Sequence, residues 1–359
     1  MQKNRVNWLD NFKGFAIFSV VLGHVSNLFL DYHMFESYSS VIALSSNIVN
    51  TYMMPIFFMI GGYSFALAYC ELTTKGKGEC VSLNIQRIKV QVINLIIIYF
   101  VWSIIYCVSK MTLANDALDK ITWETFVFMP FKAVSLFWYI YVLIICYVVT
   151  TVALLKKISI NKQLLISSVL CFAQYWITYN TLELWTVTKT SMYLVFFVLG
   201  LKLKYCDELR RNISRNLFIF SSIVLSSVIL ITLWYKLYKD CIDVRFIWTD
   251  IPIVGTIPTI LLVLALTGFF LKRNTIIVFI NYIGKYSLEI YLMHRFFMLL
   301  CRKCIYVMNI DSCVISYVGC FTISLLLPIA VAEVSKRFGG YNYLFYPKKI
   351  FSKYQRFKN

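Results

Sequence analysis

The chain has 359 residues, of which 60% are apolar, 17% aromatic and only 14% charged. So little charge excludes a soluble globular domain and points to an all-α, polytopic membrane protein. A formal net charge of +18 would suit nucleic-acid binding in a soluble chain, but between membrane spans the 35 Lys and Arg report topology instead.

The first apolar run, 9–30, reads LDNFKGFAIFSVVLGHVSNLFL and is long enough to cross a bilayer. Lys3 and Arg5 precede it as in a secretory signal, yet no small-x-small cleavage site follows, so it reads as a retained first helix. Lys13 and His24 fall within about 20° of each other on a helical wheel, giving this helix one polar stripe. Lys13 can snorkel to the interface, whereas His24 lies well inside, where an ionisable group is costly and faces protein or water. It is either a histidine held by a backbone carbonyl or a functional one.

The second span, 47–70, contains Pro55 and the pair Gly61-Gly62, which mark either close packing through small residues or a substrate-facing break. A basic loop with Lys75, Lys77, Arg87 and Lys89 follows. The third span, 92–109, leads through a mixed loop to a fourth at 134–155. Trp138, Tyr139 and Tyr141 cluster at its entrance as an interfacial belt or a pocket lining. Further spans are predicted at 163–180, 190–205, 217–237, 251–271, 278–300 and 313–334, about ten in all. Most Lys and Arg then fall on the side of the amino terminus, which places both termini in the cytoplasm.

The ninth span contains NYIGKYSLEIYLMHRFFMLL. Ser287, Tyr291 and His294 stand at i, i+4 and i+7 along one stripe, with Glu289 on another face. This is a packed polar seam or part of a site. Of only three histidines in the chain, two lie inside spans. The cysteines are scattered like small hydrophobes, and the single Cys301-to-Cys304 CxxC has no second pair or neighbouring histidine, so neither a disulfide framework nor a metal site is expected. No GxSxG, HExxH, phosphate loop or internal repeat is present. Residues 1–335 read as one transmembrane domain, and 336–359 as a basic cytoplasmic tail that lies on anionic lipid and has no nucleic-acid role.

With these residues collected, the chain resembles the bacterial acyltransferase-3 family of integral-membrane O-acyltransferases that modify surface glycans. WLDNFKGFAIFSVVLGH is similar to the family's first-helix signature, with Asp10, Lys13 and His24 at its positions. MPIFFMIGGYSFA resembles the second-helix pattern, with Gly61 where the family has Ser. LFWYIYVL resembles the Trp motif of the fourth span and IGKYSLEIYLMH the late Ser, Tyr, Leu, His signature. Two departures stand out. Many members carry Arg where Lys13 stands, and of two arginines three apart followed by proline only Arg87 is kept, with Val90 and Asn94 at the other positions.

The resemblance implies acetyl-CoA or another acyl-CoA as donor, a polysaccharide or lipid-linked sugar as acceptor, no bound cofactor, and a multi-pass place in the bacterial plasma (inner) membrane. Such chemistry needs a base for the hydroxyl proton and groups that steady an oxyanion. His24 is the expected base, or a transient acyl carrier, since neutral imidazole accepts a proton. Asp10 and Lys13 are expected to organise the donor end of the first helix, and Arg87 with Lys89 to meet the donor phosphates. His294, Tyr291, Ser287 and Trp138 are expected to bind substrate or support catalysis. The rival reading is a transporter or glycan flippase using its intramembrane histidines to bind or relay protons, although no inverted repeat is visible. A scaffold in a glycan assembly complex, for which both histidines are dispensable, is a third.

Overall fold

A computed structural model of the chain describes residues 7–73, 80–113, 123–180, 185–206, 262–264, 266–270 and 278–347. Their regular elements are helical apart from one short antiparallel hairpin. The helices are α1 (Asn7–Asp31), α2 (Ser39–Tyr69), α3 (Ile85–Leu113), α4 (Trp123–Phe128), α5 (Trp138–Leu155), α6 (Ile160–Asn180), α7 (Trp185–Tyr205), α8 (Val278–Lys285), α9 (Ser287–Val307), α10 (Cys313–Arg337) and α11 (Tyr341–Phe345). Strands β1 (Cys70–Thr73) and β2 (Cys80–Leu83) pair Cys70 with Leu83 in the segment that the sequence reads only as a basic loop.

Among the described residues, six helices are long and apolar enough to cross a membrane: Asn7–Asp31, Glu36–Tyr69, Ile85–Met111, Ser135–Leu155, Thr186–Tyr205 and Cys313–Arg337. Their outward faces are apolar, with Ile93, Ile96, Ile104 and Val108 exposed along α3 and Val148, Val152 and Leu155 along α5. Runs of this kind are matched to lipid rather than water. The expected seventh span and most of the eighth lie outside the described residues. The expected ninth, 278–300, is two helices. Tyr286 leaves the helical basin at φ −107°, ψ 16° and separates α8 from α9, which then continues to Val307.

The chain divides into two compact units of interleaved segments, residues 1–60 with 203–331 and residues 61–202 with 332–359. In the first unit α1 is the central helix. It presses on α8 so closely that a Cβ on Gly14 would strike the Ile280 carbonyl oxygen, and one on Gly284 the carbonyl oxygen of Asp10. Only glycine allows this approach. Asn281 Nδ2 donates to Asn11 Oδ1 across the contact at 3.1 Å. The Phe12 and Phe15 rings pack on Phe270, at 5.0 and 5.5 Å between centroids.

In the second unit the rings of Phe65, Tyr147 and Phe197 meet in mutual edge and tilted contacts of 5.0–5.7 Å. Gly61 and Gly62 open room for them. A Cβ on Gly62 would collide with the Phe197 carbonyl oxygen, and one on Gly61 would come to 3.1 Å from Leu143 Cδ1. Since α2 runs unbroken through Pro55, close packing rather than a break explains this stretch. Tyr99 donates to the Met129 carbonyl at 2.8 Å, and the Trp102 indole donates to the Leu344 carbonyl at 3.0 Å.

Candidate active site

The site is built on α1 and α9. Helical geometry sets His24 two turns from the end of α1, and the residue is partly buried. Opposite it stands His294 of α9, fully buried, with ring centroids 5.3 Å apart and planes tilted by 31°. His294 Nδ1 lies 2.9 Å from the carbonyl oxygens of both Ile290 and Tyr291. Carbonyls only accept, so Nδ1 carries the hydrogen and Nε2 keeps its lone pair. That Nε2 is sealed from solvent and has no hydrogen-bond partner. No hydrogen bond fixes the His24 ring among the described residues, which leaves it free to turn toward a ligand. The Tyr291 ring lies 6.3 Å from that of His294, and Ser287 opens α9 two turns earlier.

Polar side chains continue along α1 on either side of His24. Ser19 meets Tyr52 at 3.3 Å, and Ser26 meets the Tyr317 hydroxyl of α10 at 2.6 Å. Ser46 donates to Asn27 Oδ1 at 2.6 Å and receives Asn50 Nδ2 at 2.9 Å. Gly23 brings α2 alongside, since a Cβ there would sit 3.3 Å from Asn50 Oδ1. An apolar bundle therefore carries a hydroxyl and amide seam that runs past the histidine pair.

Lys13 and Asp10 belong to the same unit but not to this cluster. Lys13 Nζ lies 3.6 Å from Asp10 Oδ1, and the pair stands about 16–21 Å along α1 from His24 at 1.5 Å per residue. Arg87, Lys89 and Trp138 lie in the other compact unit. Arg87 and Lys89 are exposed on the first turns of α3, where Asn84 Oδ1 accepts the Arg87 amide at 3.1 Å. Trp138 opens α5 against Tyr193 at 5.4 Å, with Lys189 Nζ 5.6 Å over its ring.

Sequence reasoning passed over Arg295. It directly follows His294 on α9, and its Nε is buried without a hydrogen-bond partner. The signal was present, because an ionisable residue inside a span is a functional candidate by default. The seam residues Asn27, Ser46, Asn50, Ser26 and Tyr317 were missed for a different reason, since serine, asparagine and tyrosine are too common in spans to stand out singly.

Helices long and apolar enough to cross a membrane, with paired histidines beside a hydroxyl-rich seam in one unit, define a multi-pass membrane protein. The chain belongs to the acyltransferase-3 family: the family described as an acyltransferase domain matches residues 6–333, nearly the whole chain. It is an acyltransferase of the membrane type. Neither the curated proteins nor the solved structures compared with the chain include a match.

Proposed function

We propose that the protein is an O-acyltransferase that moves an acyl group, acetyl in the first instance, from acyl-CoA to a hydroxyl of a cell-surface or lipid-linked glycan in the bacterial plasma membrane. The observation that carries this reading is the unequal histidine pair, a His24 held by no hydrogen bond among the described residues beside a buried His294 whose Nε2 lone pair is unused. Neutral His24 takes the proton of the acceptor hydroxyl as the new C–O bond forms at the thioester carbonyl. Collapse of the tetrahedral intermediate breaks the C–S bond, and the imidazolium returns the proton to the departing thiolate. The alternative route, in which His24 carries the acyl group before the sugar arrives, uses the same residue. Tyr291, Ser287 and Trp138 take supporting or substrate-binding roles.

The Lys13–Asp10 pair lies far enough down α1 to meet a different part of a long donor. Arg87 and Lys89, exposed at the start of α3, offer positive charge to phosphate. In the topology that fits these roles, residues 1–335 form the transmembrane domain, both termini are cytoplasmic, and the basic tail rests on anionic lipid. Incubation of membranes containing the protein with radiolabelled acetyl-CoA and the host's lipid-linked glycans tests the proposal. Label is expected in glycan with the wild type and not with His24→Ala; equal labelling by the two overturns it.

A further inference from the structure

Arg295 is half-buried beside the histidine pair, and its Nε is closed off from solvent without a hydrogen-bond partner. A guanidinium keeps its proton in any protein environment, so this is a fixed positive charge inside an apolar bundle. Among the described residues no salt bridge reaches it: Asp10 faces Lys13 at 3.6 Å, Glu36 faces His33 at 3.8 Å and Glu333 faces Lys336 at 2.9 Å, while Glu289, the buried carboxylate of the same helix, lies six residues earlier. A cation with no salt-bridge partner and its Nε shut off from solvent is costly to keep inside an apolar bundle, and such residues mark ligand pathways.

An oxyanion that exists only in the transition state can be steadied by neutral donors. A permanent cation beside two imidazoles is better matched by a permanent anion on the bound ligand. The CoA phosphates do not meet this need, because an uncharged pantetheine arm separates them from the thioester that reacts at His24. We propose that Arg295 is the receptor for a carboxylate carried on a substrate near its reacting end. Two sources present that chemistry, an acidic sugar of the uronate type on the acceptor and the free carboxylate of a dicarboxylic acyl group such as succinyl on the donor. Planar guanidinium receives either one through paired hydrogen bonds. This inference rests on the acyltransferase reading and narrows its substrates.

Binding to the purified full-length protein tests it without turnover. Methyl glucuronide is compared with methyl glucoside, and succinyl-CoA with butyryl-CoA, each pair matched in size and differing in the carboxylate. The wild type is expected to prefer the acidic member of one pair by about 10- to 100-fold. The pair that shows the preference identifies the source. Arg295→Gln is expected to abolish the preference and Arg295→Lys to keep part of it, with melting temperature and gel-filtration profile reporting on the fold of each. A wild type indifferent within both pairs, or a preference that survives in folded Arg295→Gln, overturns the proposal. Loss of glycan labelling with the carboxylate preference intact would count against the enzyme reading alone; labelling without any preference would count against the receptor alone.

Discussion

The imidazoles of His24 and His294 face each other at 5.3 Å across two helices, and only His294 is tied to the backbone. A restrained ring can orient, whereas an unrestrained one can follow a proton from substrate to leaving group. Removing the second kind should therefore abolish chemistry without disturbing the fold. His24→Ala is expected to lower the transfer rate by about 10²- to 10⁴-fold, the usual contribution of a positioned base, while its level in the membrane matches the wild type. Radiolabel transfer against immunoblotted protein checks this.

His294 separates its two nitrogens by role, and two substitutions follow the split. Asparagine places an N–H near the position of Nδ1 but no acceptor near Nε2. Glutamine reaches the Nε2 position instead. If the buried lone pair serves the reaction, His294→Gln should retain more turnover than His294→Asn, with the difference in kcat and not in KM. Equal losses in both would assign the ring to packing.

The contact between α1 and α8 predicts a strong stability effect with a built-in control. A Cβ at Gly14 or Gly284 meets backbone rather than a flexible side chain, while one at Gly319 meets nothing within 4 Å. Gly14→Ala and Gly284→Ala are each expected to cost about 1–3 kcal/mol or more, as overpacking does, and Gly319→Ala close to nothing. Denaturation in mixed micelles measures all three.

Hydroxyl pairs within a membrane bundle contribute modestly. A double-mutant cycle on Ser26→Ala and Tyr317→Phe, whose oxygens lie 2.6 Å apart, should return a coupling of about 0.5–1.7 kcal/mol. A value indistinguishable from zero would mean that the pair is replaced by other partners on unfolding within the membrane.

At the head of α3 the expectation concerns affinity. Arg87→Ala should raise the KM for acyl-CoA by about 5- to 20-fold and leave kcat nearly unchanged, as loss of one charge-assisted contact does. Arg87→Lys should recover part of the loss, since the charge remains but the fork does not. A titration of acetyl-CoA at two salt concentrations checks both statements, because exposed charges weaken as salt rises.

Much of this site was legible before any coordinates, and the part that was not has definable causes. Spacing put His24 inside a span, and the i, i+4, i+7 pattern put Tyr291 and His294 on one stripe; the structure seats both histidines in one cluster. Periodicity says which residues share a face of their own helix but not which helix that face meets. The pairing of His24 with His294 therefore had to come from packing, whereas the separation of Lys13 from His24 follows from eleven residues of rise along one helix. The break at Tyr286 was invisible for a similar reason. Hydropathy averages over many residues, and a single residue leaving the helical basin does not alter the average. The hairpin joining Cys70–Thr73 to Cys80–Leu83 has four-residue strands, too short for alternation to be told from a loop.

The hydrogen bond from Trp102 to the Leu344 carbonyl joins residues 242 positions apart. During synthesis α3 must wait for its partner. At about 5–20 residues per second, the ribosome needs on the order of 10–50 s to supply it. For that interval the indole N–H of a nascent chain already in the membrane lacks its final acceptor, and the ring lacks Phe345, which finally lies 5.4 Å away. A premature stop just before Leu344 would therefore leave that early-made helix without the acceptor and the ring that complete its packing.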